Sequence, residues 1–129
     1  MGAAMRKSVT ILLVFFAAVL PVQAEQAMTA DEITATLSGN TAEGQLLKRG
    51  ISHQTYFHTS GEFRRVDGNG NKGKGKWYVD KYNHLCFEAR RSRCRIIKKR
   101  DDGGYNMYNR KEELIATFDK ILPGNPHDL

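Results

Sequence analysis

The chain of 129 residues has little of what enzymatic chemistry is usually built on. It holds two cysteines and four histidines. Cys86 and Cys94 stand eight apart, and a zinc site needs three or four ligands, so the pair does not resemble a zinc motif. Beyond residue 24, serine is confined to Ser38, Ser52, Ser60 and Ser92, none in the context of a nucleophile elbow. No long apolar run follows the one near the N-terminus, so no further membrane-spanning helix is expected. Acid is scarce where base is dense. Only Asp80 and Glu88 oppose Lys72, Lys74, Lys76, Lys81, Arg90, Arg91, Arg93, Arg95, Lys98, Lys99 and Arg100.

The single apolar run has the layout of a secretory signal. Arg6 and Lys7 precede it, residues 9–20 are apolar except Thr10, Pro21 breaks it, and Val22-Gln23-Ala24 offers a cleavage site before Glu25. The run is too short to span a bilayer comfortably, although an uncleaved anchor is the alternative. The predicted organisation is a signal peptide over 1–24, one β-rich domain over 25–122, and an irregular tail over 123–129 with two prolines. The expected location is periplasmic or secreted, with no transmembrane segment after cleavage. No cofactor is expected.

Twenty Lys and Arg face fourteen Asp and Glu; loss of Arg6 and Lys7 leaves 18 against 14, or +4. The base concentrated between residues 72 and 100 makes the domain dipolar. An even cysteine count in an exported chain favours a Cys86–Cys94 disulfide across one hairpin, with free thiols or a metal pair as alternatives. So short a closed loop is worth roughly 2–3 kcal/mol.

Thr29-Ala30-Asp31-Glu32 reads as a capping box, Ile33 and Leu37 share a helical face, and Gly39 is placed to end the helix. From residue 51 short aromatic and β-branched segments alternate with turns. Strands are predicted near 51–57, 61–66, 75–80, 84–89, 94–100, 104–109 and 113–118. Short connections make successive strands antiparallel neighbours, and a meander this long curls or closes to protect its edges. The fold class is mainly β: a short N-terminal helix followed by a curled antiparallel meander sheet or small barrel. Ile33, Trp77, Val79, Leu85 and Phe87 are expected in one core, with Lys72, Lys74 and Lys76 solvated.

Two motifs tempt and fail. Gly68-Asn69-Gly70-Asn71-Lys72-Gly73 matches the dinucleotide-binding glycine pattern but leads into a strand rather than a helix, so it reads as a hairpin loop. Asp67, Asn69 and Asn71 have calcium-loop spacing, but the later positions hold Lys72 and Tyr78 instead of Gly and Glu. His84 and Glu88 are same-face neighbours and could form an acid–base pair; a surface histidine is the plainer reading. The strongest signal is Arg90-Arg91-Ser92-Arg93-Cys94-Arg95, followed by Lys98. Arginines pinned by a disulfide form a donor array suited to phosphate or carboxylate, and otherwise a solubilising loop.

Leu37-Ser38-Gly39-Asn40-Thr41, Gly75-Lys76-Trp77 before Leu85-Cys86, then Cys94 and Gly124-Asn125-Pro126, resemble an uncharacterised group of small secreted proteins from Gram-negative, chiefly alphaproteobacterial, genomes. The resemblance implies a periplasmic location and supports the Cys86–Cys94 pairing; it supplies no activity. The expected function is a non-enzymatic binding module whose basic face meets an anionic envelope component: lipopolysaccharide, an acidic protein or a polyanion. Nucleic acid is not an expected partner. The alternatives are a small carrier of an apolar ligand, or an accessory or inhibitor protein of an envelope enzyme.

Overall fold

The computed structural model describes residues 10–15 and 25–129. Most of the expected signal segment, with its cleavage motif, lies outside the described residues. Among these, no helix is long and apolar enough to cross a membrane.

The elements run β1 (Gln26–Ala27), α1 (Ala30–Leu37), β2 (Asn40–Leu46), β3 (Ile51–Phe57), β4 (Glu62–Asp67), β5 (Lys72–Val79), β6 (His84–Glu88), β7 (Ser92–Lys99), β8 (Tyr105–Tyr108), β9 (Leu114–Phe118) and β10 (Lys120–Pro123). Strands β2 to β9 form an antiparallel meander, and β9 returns to β2 at Leu46↔Ala116, closing an eight-stranded barrel. Strand β1 adds to β7, and β10 continues along β2 beyond Asp119. The mainly β chain with one short helix is therefore found, and the sheet closes rather than merely curling. The 40–46 segment, which has no sequence signature of a strand, is the closing strand.

Closure explains its composition. A Cβ on Gly44 would lie 1.8 Å from the Thr117 carbonyl oxygen, so only glycine lets β2 approach β9 this closely. The helix forms as its capping box dictates. Thr29 Oγ1 accepts from the Glu32 amide at 3.3 Å, and the Glu32 carboxylate accepts from the Thr29 amide at 3.4 Å. Ile33 and Leu37 are buried, and α1 packs on β2, β5 and β6 at one end of the barrel.

Beneath the helix, aromatic rings fill the interior. Phe57 meets Trp77 at 5.3 Å between centroids, and Phe63 meets Phe87 at 5.2 Å, both edge to face. Phe118, Leu85, Ile97 and Met107 complete this core. The Trp77 indole N–H donates to the His58 carbonyl at 2.9 Å, so its polar atom is satisfied. Val79 packs against the same cluster, and Lys72, Lys74 and Lys76 point into solvent.

An up-and-down barrel sends alternate connections to opposite ends. The helix-capped end carries the 58–61, 80–83 and 100–104 connections, and the far end carries 47–50, 68–71, 89–91 and 109–113.

Candidate anion-binding site at the far end of the barrel

The β6–β7 hairpin ends at the far end with Arg90 and Arg91 exposed at its tip. Cys86 and Cys94 are directly opposed across it and disulfide-bonded, with Cα atoms 4.0 Å apart. Strand register then divides the predicted arginine cluster. Arg95 stands opposite Leu85, and Arg93 opposite Phe87, so both lie on the inward face. Arg95 is partly buried and Arg93 exposed at the rim. Lys98 belongs to the outward set, its ammonium 4.7 Å from the Tyr108 ring, and stands apart from the arginines.

The structure adds three cations that reading along the chain did not group with these. Arg65 lies on the inward face of β4 between Phe63 and Asp67. Its guanidinium reaches across β5 to 5.5 Å from the Phe87 ring centroid and 5.8 Å from that of Phe63. It can cross because β5 presents Gly73 and Gly75 inward while Lys72, Lys74 and Lys76 face out. A Cβ on Gly75 would lie 2.2 Å from the Glu88 carbonyl oxygen and 2.8 Å from the Phe63 ring. The Lys-Gly-Lys-Gly-Lys alternation was the available signal for this bare inner strand. The other two, Arg110 and Lys111, sit on the 109–113 loop. Asn109 builds that loop, its side-chain oxygen accepting from the Lys111 and Glu113 amides, each at 3.0 Å.

Pairing of β7 with β8 starts only at Ile96↔Tyr108, so residues 92–95 and the 109–113 loop diverge. Between them lies an open cleft of about 450 Å³, lined by Arg93, Arg95, Arg110, Lys111 and Glu113 among others; that is within the usual size of small-molecule sites. Among the described residues, no carboxylate lies within 4.0 Å of Arg65, Arg90, Arg91, Arg93, Arg95, Arg110 or Lys111.

Inside the barrel a polar chain links β9, β3 and β4. The His53 Nε2–H donates to the Thr117 carbonyl at 2.9 Å, which leaves Nδ1 to accept from the Thr55 hydroxyl at 3.1 Å. Thr55 Oγ1 in turn accepts from Arg65 Nε–H at 3.1 Å. Burial pushes the His53 pKa down to about 4; the Arg65 charge adds to this, while the Thr117 carbonyl and Asp119 oppose it. Burial and then Arg95 lower the Arg65 pKa, and burial and then Arg93 lower that of Arg95. Asp67 is engaged elsewhere. Its carboxylate accepts from the Asn69 and Asn71 amides at 2.9 and 3.0 Å and pairs with Arg49 at 3.5 Å. Burial would raise its pKa, but those amides and Arg49 hold it below the usual carboxylate value.

The tempting motifs have ordinary places. The 68–71 glycine-rich segment is the β4–β5 hairpin turn that Asp67 caps. His84 is held by Asp80 at 3.1 Å. Asp80 also approaches Cys86 and Cys94, whose sulfurs are bonded to each other. No protein-family model matches the chain, and no curated protein matches it.

Proposed function

We propose that this protein is an exported, non-enzymatic binding module that meets an anionic envelope component through the far end of its barrel. One observation carries the reading: the charge is sorted by end. The far-end connections hold Lys48, Arg49, Arg90, Arg91, Arg110 and Lys111 against Glu112 and Glu113. The capped end, counting the first turn of α1, holds Lys81 and Arg100 against Asp31, Glu32, Asp80, Asp101 and Asp102. Such a field orients the molecule and draws anions to one pole. The disulfide fixes the arginine-bearing hairpin, so little ordering entropy is lost on binding. The aromatic filling of the interior gives a carrier of apolar ligands no comparable support.

Titration of the exported protein against lipopolysaccharide at two salt concentrations tests the reading. Saturable binding should weaken steeply as the screening length falls from about 10 Å at 0.1 M to about 3 Å at 1 M salt. The double variant R90S/R91S should weaken it while leaving the unfolding midpoint in place, because a turn tip buries little area. Absence of saturable binding at low salt, or binding indifferent to both salt and R90S/R91S, would overturn it.

A further inference from the structure

A positive pole alone would attract any polyanion. The cleft between β7 and the 109–113 loop has a more particular construction. Its lining carries Arg93, Arg95, Arg110 and Lys111, while Arg65 lies further inside, on the inward face of β4. Arg65 is anchored through Nε to Thr55 and laid against the Phe63 and Phe87 rings. No other hydrogen bond from its side chain occurs among the described residues. Burial and then the Arg95 charge lower the Arg65 pKa, with Asp67 opposing, and burial and then Arg93 lower that of Arg95. Arg93 and Arg95 thus place like charges on one face of β7, and among the described residues no carboxylate lies within 4.0 Å of either. An unbound fold pays for that repulsion, and an anion in the cleft removes it.

We propose that this cleft is a site for a single phosphate monoester group, gripped by Arg93 and Arg95, with Arg110 and Lys111 at the rim. The inference rests on the anion-binding reading above for the sign of the ligand, and goes beyond it in naming the group. Two features select phosphate over carboxylate. Four lining cations against the one carboxylate of Glu113 are better neutralised by a charge near −2 than by −1. Guanidinium forks approaching from β7 and from the loop on the other side also suit a tetrahedral group with three free oxygens better than a planar one with two. The phosphate can belong to a soluble ester or to a lipid headgroup, since the cleft opens to the outside.

The test uses the exported protein with inorganic phosphate, with acetate, and with vesicles containing phosphatidic acid or, at matched surface charge, the diester phosphatidylglycerol. Phosphate should bind saturably at one site, and acetate at least about tenfold more weakly, as loss of one charge-assisted hydrogen bond implies. Arg95→Gln should lower phosphate affinity about tenfold or more, and Arg95→Lys, which keeps the charge but not the fork, by an intermediate amount. Unchanged unfolding midpoints would show that both variants fold. R90S/R91S should leave phosphate affinity within about twofold while weakening lipopolysaccharide binding, because the turn lies outside the cleft. Preference for phosphatidic acid that inorganic phosphate abolishes would assign a lipid source; saturable phosphate without that preference would assign a soluble ester. Equal binding of acetate and phosphate, or phosphate binding untouched by Arg95→Gln, overturns the site. Lipopolysaccharide binding that persists without saturable phosphate binding overturns the cleft and leaves the broader reading standing. Loss of both overturns both.

Discussion

At the helix-capped end the barrel is packed as a protein core, whereas toward the far end the same strands turn arginine, histidine and threonine inward. Phe57, Trp77, Leu85 and Phe118 interlock beneath Ile33 and Leu37 at one end. His53, Thr55, Arg65 and Arg95 occupy the interior toward the other. An eight-stranded barrel has just enough room to be filled by side chains. Here the filling is apolar beneath the helix and polar, though still buried at His53 and Thr55, toward the far end. Stability and recognition are thereby assigned to different ends of one short barrel.

The sharpest way to break this division is to damage each end in turn. Phe57→Ala at the capped end should cost about 3–5 kcal/mol, the range for a large buried aromatic. Urea unfolding would register it as a lower midpoint, and a loss below about 1 kcal/mol would contradict the division.

Acid probes the polar half through His53. Its folded-state pKa is depressed from 6.5 to about 4, so between these values the unfolded chain takes up a proton that the folded chain refuses. Stability should therefore fall as pH drops from 6.5 to 4, by at most roughly 3 kcal/mol, and this contribution should level off below 4. Glu32, Asp67, Asp80 and Asp102 also have depressed pKa values, so their contributions are lost as pH falls past the ordinary carboxylate values of 4.5 and 3.8, at the acid edge of this window and below it. Denaturant midpoints at pH 7, 5.5 and 4 measure the effect, and His53→Gln should flatten the curve.

The far end has its own brace. The double variant C86S/C94S should lose about 2–3 kcal/mol, judged by the same unfolding curves. It should also weaken anion binding, because the arginine hairpin is no longer clamped. The smallest effect sharpens the comparison from the other side. Thr29→Ala removes the capping box and should cost about 1 kcal/mol. Hydrogen exchange should speed up in α1 and not in the β6–β7 hairpin. Equal acceleration at both ends would mean that they are not energetically separate.

Much of the architecture was legible because its signals are local. The capping box, the alternation around Trp77 and the short turns from residue 51 onward led to a helix and a meander. The closing strand β2 was not legible. Its partners beyond β3 are distant: Asn40 to Glu43 pair with β10, and Gly44 and Leu46 meet β9, all at least 70 residues away, and no local pattern records that. The site was half legible for the same reason. The arginine run was visible, and alternation put Arg93 and Arg95 on one side, but only pairing with Leu85 and Phe87 makes that side the interior. Arg65 was hidden entirely, since its reach depends on glycines two strands' width from Arg95.

The way the barrel closes has a consequence for how it forms. Of the eight pairings around the ring, seven join strands consecutive in the chain, and only β2 with β9 joins the first to the last. Seven hairpins can zip up in sequence, each closing a short loop, while the last contact needs the whole meander already bent. The seam at Gly44 and Thr117 is thus the natural late step of folding and the natural first breach in unfolding. Substitutions flanking it should therefore act mainly on the unfolding rate, and so on how long the molecule survives, while leaving the folding rate nearly unchanged.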